Sequence, residues 1–172
     1  MVATAGALAT WNCRRLGKLF CQEVFRDNFE NSGIGIGLLQ EAQYADELGD
    51  SWQVERSDCK RACIVYQRSW SDQFLHAKRG DPWCAVVFQR FIPVSVYLPH
   101  KYSIGKSGDD FFLALCEYQR VLREVAVAVQ ALKTTYRVKD VVLGVDAQVE
   151  VEAEVFHEQW PVTGPAVDGT SQ

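Results

Sequence analysis

The sequence predicts an α/β layered fold, a mixed sheet with helices available to cover one face. Three observations lead to it. Near the N-terminus, two short apolar runs flank a stretch of helical spacing, the pattern of a β-α-β unit. Four strand-length runs then follow one another with no helical period between them. A long amphipathic segment comes next and leads into one more apolar strand.

Ala7 to Asn12 is the first short apolar run and reads as a strand. Leu16, Phe20 and Val24, joined by Phe25 and Phe29, recur at helical spacing. Asn31-Ser32-Gly33 is a turn signal, and Ile34 to Gln40 is again strand-like. Trp52 to Glu55, Ala62 to Gln67, Cys84 to Gln89 and Pro93 to Leu98 are the central runs, with Arg79-Gly80-Asp81-Pro82 as a strong turn. This section is expected to form an antiparallel meander. From Asp110, the residues Phe111, Leu115, Tyr118, Leu122, Val125, Val129, Leu132 and Tyr136 step by three and four and leave a single apolar stripe. Ser107 or Asp109 can cap that helix. Asp140 to Val145 follows as a buried strand, and Thr163 to Gln172 is polar and turn-like.

At 172 residues the chain is about one domain long, and 48% apolar with 12% aromatic residues supplies a core. No apolar run reaches the roughly 18 residues of a membrane helix. Met1 to Thr10 lacks the basic and strongly apolar regions of a secretory signal. The expectation is an intracellular protein, nuclear or cytoplasmic, with no membrane partner. Its six cysteines then read as reduced, buried thiols. Cys59, Cys63, His76 and Cys84 fit no standard zinc spacing. A net charge of −4 argues against coating nucleic acid by bulk electrostatics. Local contact with a phosphate backbone remains open, through Arg14, Arg15 and Lys18 after Asn12 and through Lys101 and Lys106 after His100.

Ligands in α/β sheets gather beyond the carboxyl ends of strands, where loops carry polar groups and strands hold them rigidly. Asn12 and Glu41 end the first two strands, Tyr97 and His100 end the central block, and Asp146 ends the last strand. Singly, each is an ordinary strand-end residue, and Tyr-Leu-Pro-His is also what a proline-stopped strand looks like. Together they offer carboxylates, an amide, a phenol and an imidazole, an inventory suited to a hard cation and a phosphate.

Thr10-Trp11-Asn12-Cys13-Arg14 resembles the opening strand motif of the endonuclease/exonuclease/phosphatase family. Gly37-Leu38-Leu39-Gln40-Glu41 is similar to its second motif, a strand ending in Gln-Glu. Ser95-Val96-Tyr97-Leu98-Pro99-His100 resembles its Tyr-x-Pro motif, and Val142-Leu143-Gly144-Val145-Asp146-Ala147-Gln148 its Gly-Asp-x-Asn motif. The resemblance spans residues 10 to about 148. It implies a four-layered α/β sandwich and hydrolysis of phosphodiesters or phosphomonoesters with Mg²⁺ or Mn²⁺. It also implies site roles: Glu41 at the metal, Asn12 supporting that metal or contacting the phosphate, Tyr97 and His100 at the phosphate, and Asp146 at the attacking water. The Tyr-Leu-Pro-His wording and the long helix after it resemble the retroelement-type endonuclease branch, which favours DNA as the nucleic-acid partner.

The sequence departs from the family pattern in three places. Gln148 stands where Asn is usual, Arg15 stands where many relatives have glycine, and the closing Ser-Asp-His has no counterpart, since His157 precedes Glu158. The expectation is therefore a single, C-terminally truncated domain over residues 1–172, an incomplete four-layer sandwich with crippled hydrolysis. One sheet would keep an exposed apolar face and promote self-association. A non-catalytic α/β interaction domain derived from the same fold is the alternative.

Overall fold

The computed structural model describes residues 7–13, 23, 25–42, 45, 48–98 and 109–146. They form two four-stranded mixed sheets packed face to face in an α/β sandwich, with a helical layer outside each.

The first sheet contains β1 (Ala7–Asn12), β2 (Ile34–Gln40), β3 (Trp52–Arg56) and β4 (Ala62–Gln67), in the order β1-β2-β4-β3. β1 and β2 run parallel, so Asn12 lies opposite Gln40. β4 is antiparallel to both of its neighbours. The second sheet contains β5 (Phe74–Arg79), β6 (Trp83–Phe88), β7 (Phe91–Tyr97) and β8 (Asp140–Asp146), in that order. β5, β6 and β7 are antiparallel, and β8 joins β7 in parallel, with Tyr97 opposite Asp146. A parallel return needs a crossover, and the long helix α1 (Asp109–Tyr136) lies in that connection.

Alternation along each strand builds the layers. Ile36, Leu38, Ile64, Tyr66, Cys84, Val86 and Phe88 meet between the sheets. Their in-between neighbours turn outward: Leu39, Cys63 and Val65 meet Phe25 and Phe29 at the short helical turn Arg26–Glu30. On the other side, Trp83, Ala85, Val87, Ile92, Val94 and Val96 meet α1. Each large apolar side chain taken fully from water contributes about 1.5–3 kcal/mol, so all three layers of contact contribute to the core. Trp83 Nε1 also donates to Glu124 of α1 at 2.9 Å and ties helix to sheet.

Several expectations are corrected. The central strands do not form one meander. The chain leaves the first sheet after β4, makes the short helix Arg68–Gln73 with Trp70 buried, and starts the second sheet at β5. β5 itself has no counterpart in the predicted elements. The stripe that α1 buries is Ala114, Tyr118, Val121, Val125, Ala128 and Leu132, which leaves Leu115 and Leu122 exposed. β8 is an edge strand, and Val141, Val142 and Leu143 are more than one-third exposed. The chain supplies a second sheet of four strands, so the face expected to stand open is covered within the chain. Exposed apolar surface lies on the β8 edge and on α1 instead. Among the described cysteines, Cys13, Cys63 and Cys84 are buried, while Cys59 and Cys116 are exposed. Among the described residues, no helix is long and apolar enough to cross a membrane.

Candidate functional site

Four of the strand-end residues meet at one end of the sandwich. β1 and β8 are the edge strands of different sheets, yet both finish here: Asn12 Nδ2 donates to Asp146 Oδ2 at 2.6 Å, across the gap between the sheets. Glu41 follows Gln40, the parallel partner of Asn12, and Tyr97 is the parallel partner of Asp146. The parallel pairings thus carry Asn12 with Glu41, and Tyr97 with Asp146, to the same edge. His100 and Gln148 lie outside the described residues, as do Arg14, Arg15, Lys18, Lys101 and Lys106.

The backbone around these residues is closely tied. Cys13 N donates to Gln40 O at 2.8 Å, Leu98 N to Asp146 O at 3.2 Å, and Tyr97 N to Pro82 O at 3.0 Å. Glu41 N donates to Arg61 O at 2.6 Å. Glu41 holds a left-handed backbone conformation, φ 55°. A residue with a Cβ is strained there, by roughly 1–2 kcal/mol. Such strain persists only where surrounding bonds impose it, and it concentrates at functional positions.

Beneath the site, a buried polar cluster fixes the distance between the sheets. Gln40 and Ser95 are both buried between them. Gln40 Nε2 donates to Ser95 Oγ at 3.2 Å and reaches Gly144 O at 3.4 Å. Ser95 Oγ donates to Leu39 O at 3.0 Å. A buried amide must find partners or forfeit its desolvation energy, so this cluster has one favourable register. Glu41 directly follows Gln40, and Asp146 lies two residues beyond Gly144, so the cluster ties together the two strands that carry them. Gly144 allows the close approach: a Cβ there would lie 2.8 Å from Thr10 Oγ1 and 3.0 Å from Leu38 Cβ.

The rest of the site wall comes from two elements. Tyr118 projects from α1, and burial, with smaller contributions from Tyr97 and Asp146, pushes its phenol above the ordinary range. Arg61 precedes β4 and reaches Tyr97: Nη1 donates to the phenol oxygen at 3.1 Å, and the guanidinium carbon lies 5.1 Å from the ring centroid. Sequence patterning does not single out Arg61, because its place depends on hairpin register. Gln40 pairs with Ala62, so the residue before Ala62 falls beside the residue after Gln40.

Chemically, the site gathers two carboxylates, an amide, a phenol and a guanidinium. Glu41, Asp146 and the Asn12 amide are hard oxygen donors of the type Mg²⁺ takes, and Mg²⁺ needs only one or two carboxylates beside water and substrate oxygens. Among the described residues, no group of three or more His, Cys, Asp or Glu side chains is placed to hold a metal.

No protein-family model matches the sequence, and no curated protein matches it. Among solved structures, the chain is similar to "Endonuclease domain of TRAS1, a telomere-specific non-LTR retrotransposon". The identity is 15% and the TM-score 0.45, over 83% of this chain and 58% of that one. At that level, nothing about activity follows from the likeness.

Proposed function

We propose that the chain carries a divalent-metal-dependent phosphodiester-hydrolysing site of the nuclease type, with DNA as the favoured substrate. The observation that supports it most is the Asn12–Asp146 contact between the ends of two edge strands, beside Glu41 and Tyr97. In this reading Glu41 and Asn12 hold Mg²⁺ or Mn²⁺. The bound cation would polarise the phosphoryl group and offset its developing charge. Tyr97 donates a hydrogen bond to a phosphate oxygen, and the resemblance assigns His100 to the same phosphate. Asp146, with one oxygen held by Asn12, orients the attacking water and accepts its proton. Gln148 takes the place of an oxyanion donor one methylene further out than Asn, which weakens that contribution. The choice of DNA rests on the Tyr97-Leu98-Pro99-His100 wording and the long helix after it.

The test is nicking of supercoiled plasmid with Mg²⁺ or Mn²⁺ by the chain, by Glu41→Ala and by Asp146→Ala. The expected result is slow, metal-dependent nicking that both substitutions abolish, since loss of one such group commonly costs about a hundred- to a thousandfold. Nicking that survives in both variants would overturn the assignment. Duplex binding without any nicking would favour the non-catalytic interaction domain.

A further inference from the structure

We infer that Arg61 is a phosphate-positioning residue, which aims the Tyr97 hydroxyl at one backbone phosphate and adds its own charge to that contact. The inference rests on the phosphodiester reading above and extends it to a residue that the strand-end pattern does not contain.

A guanidinium carries five N–H donors and no acceptor, so in the 3.1 Å contact the Tyr97 oxygen accepts. The single phenolic proton is then directed away from Arg61. A phosphate oxygen is the acceptor this arrangement suits, with the phenol giving one bond and the guanidinium a second, charge-assisted one. The guanidinium also lies against the ring, 5.1 Å from its centroid, which limits the rotation of both side chains.

The backbone of Arg61 does a separate job. Its carbonyl accepts from Glu41 N at 2.6 Å. One residue therefore touches the proposed metal side of the site through its main chain and the proposed phosphate side through its side chain. A side-chain substitution leaves the carbonyl in place, so the two contributions can be measured apart. Charge matters as well. The protein has a net charge of −4, and a polyanion approaching such a surface needs a fixed cation at the point of contact.

The experiment is fluorescence anisotropy of a labelled duplex oligonucleotide titrated with the full chain. Ca²⁺ replaces Mg²⁺ to suppress turnover, and the titration is repeated across a series of salt concentrations. Arg61→Ala is expected to weaken binding about tenfold or more, the effect of one charge-assisted contact. Its salt slope should fall by about one. Arg61→Lys should restore the slope but only part of the affinity, because an ammonium keeps the charge and loses the planar fork. Tyr97→Phe should weaken binding with the slope unchanged, and Arg61→Ala should cost less in that background than in the wild type. A brace that only stabilises the fold would lower the unfolding midpoint and leave the salt slope alone.

Wild-type affinity and slope in Arg61→Ala would overturn the inference. If Glu41→Ala still abolished metal-dependent nicking, the functional reading would stand without Arg61. A wild-type chain that binds no duplex under any of these conditions would remove the functional reading, and Arg61's role with it.

Discussion

Asn12 and Asp146 stand 134 positions apart and are the last residues of edge strands in different sheets, yet a 2.6 Å hydrogen bond joins them. The bond closes the end of the sandwich where β1 and β8 lie side by side. A hydrogen bond to a charged group is worth about 1.5–3 kcal/mol, and less where water can compete, as at these partly buried residues. Asn12→Ala should therefore destabilise the chain by about 1–2 kcal/mol. In a double-mutant cycle with Asp146→Ala, about 1 kcal/mol should appear as coupling. Urea unfolding measures both, and strictly additive costs would mean that the contact contributes nothing.

Much of this architecture is legible in the sequence, because apolar period and turn residues reinforce each other. β1, β2 and β4 begin and end where the apolar runs begin and end. β5 escapes notice because His76, Lys78 and Arg79 break its apolar alternation, and an outer strand with exposed positions can carry them. The passage between sheets is equally silent: Arg68–Gln73 looks like any polar connection, although Trp70 is buried within it. β8 is read as buried because composition reports that Val141, Val142 and Leu143 are apolar, not which neighbour covers them. Asn12, Glu41, Tyr97 and Asp146 are legible as strand ends, whereas Arg61 joins them through the register of a hairpin that no local pattern encodes.

Alkaline pH should loosen the contact between the sheets at Tyr66. This phenol is packed among Phe74 and Phe88, and burial, with Glu55 nearby, pushes its pKa from 10.0 up to about 12. A folded-state pKa above the unfolded value means that the neutral phenol is favoured in the fold. Its stabilisation is fully present below pH 10 and is lost as pH rises through about 12. The urea midpoint should fall across that window, and Tyr66→Phe should flatten the fall. An equally steep decline in Tyr66→Phe would assign the effect to other groups, Tyr118 first, since its pKa is shifted in the same direction.

Self-association is expected at β8. Among the described residues it pairs on one side only, with β7, and it exposes Val141, Val142 and Leu143. An unpaired strand edge with apolar side chains is a template for another strand. Light scattering during size-exclusion chromatography should show a mass that rises with protein concentration. Leu143→Lys should shift the distribution toward monomer, because a lysine on an edge opposes pairing. A wild type that stays monomeric over the whole concentration range would contradict this.

The sharpest separation of stability from function is available at Glu41. Its left-handed backbone, φ 55°, is one that glycine adopts without steric cost. Glu41→Gly should therefore stabilise the metal-free chain by roughly 0.5–1 kcal/mol, after the extra unfolded-state entropy of glycine is subtracted from the relieved strain. Glu41→Ala keeps a Cβ in the same conformation and should show no such gain. Metal reverses the ranking if Glu41 is a ligand. At ten times its dissociation constant, Mg²⁺ should add about 1.4 kcal/mol to the wild type and nothing to either variant. Thermal unfolding of the three proteins, with and without Mg²⁺, measures all of these quantities. Equal metal stabilisation of all three would remove Glu41 from the metal site, and a Glu41→Gly chain no more stable than Glu41→Ala would show that the turn is unstrained.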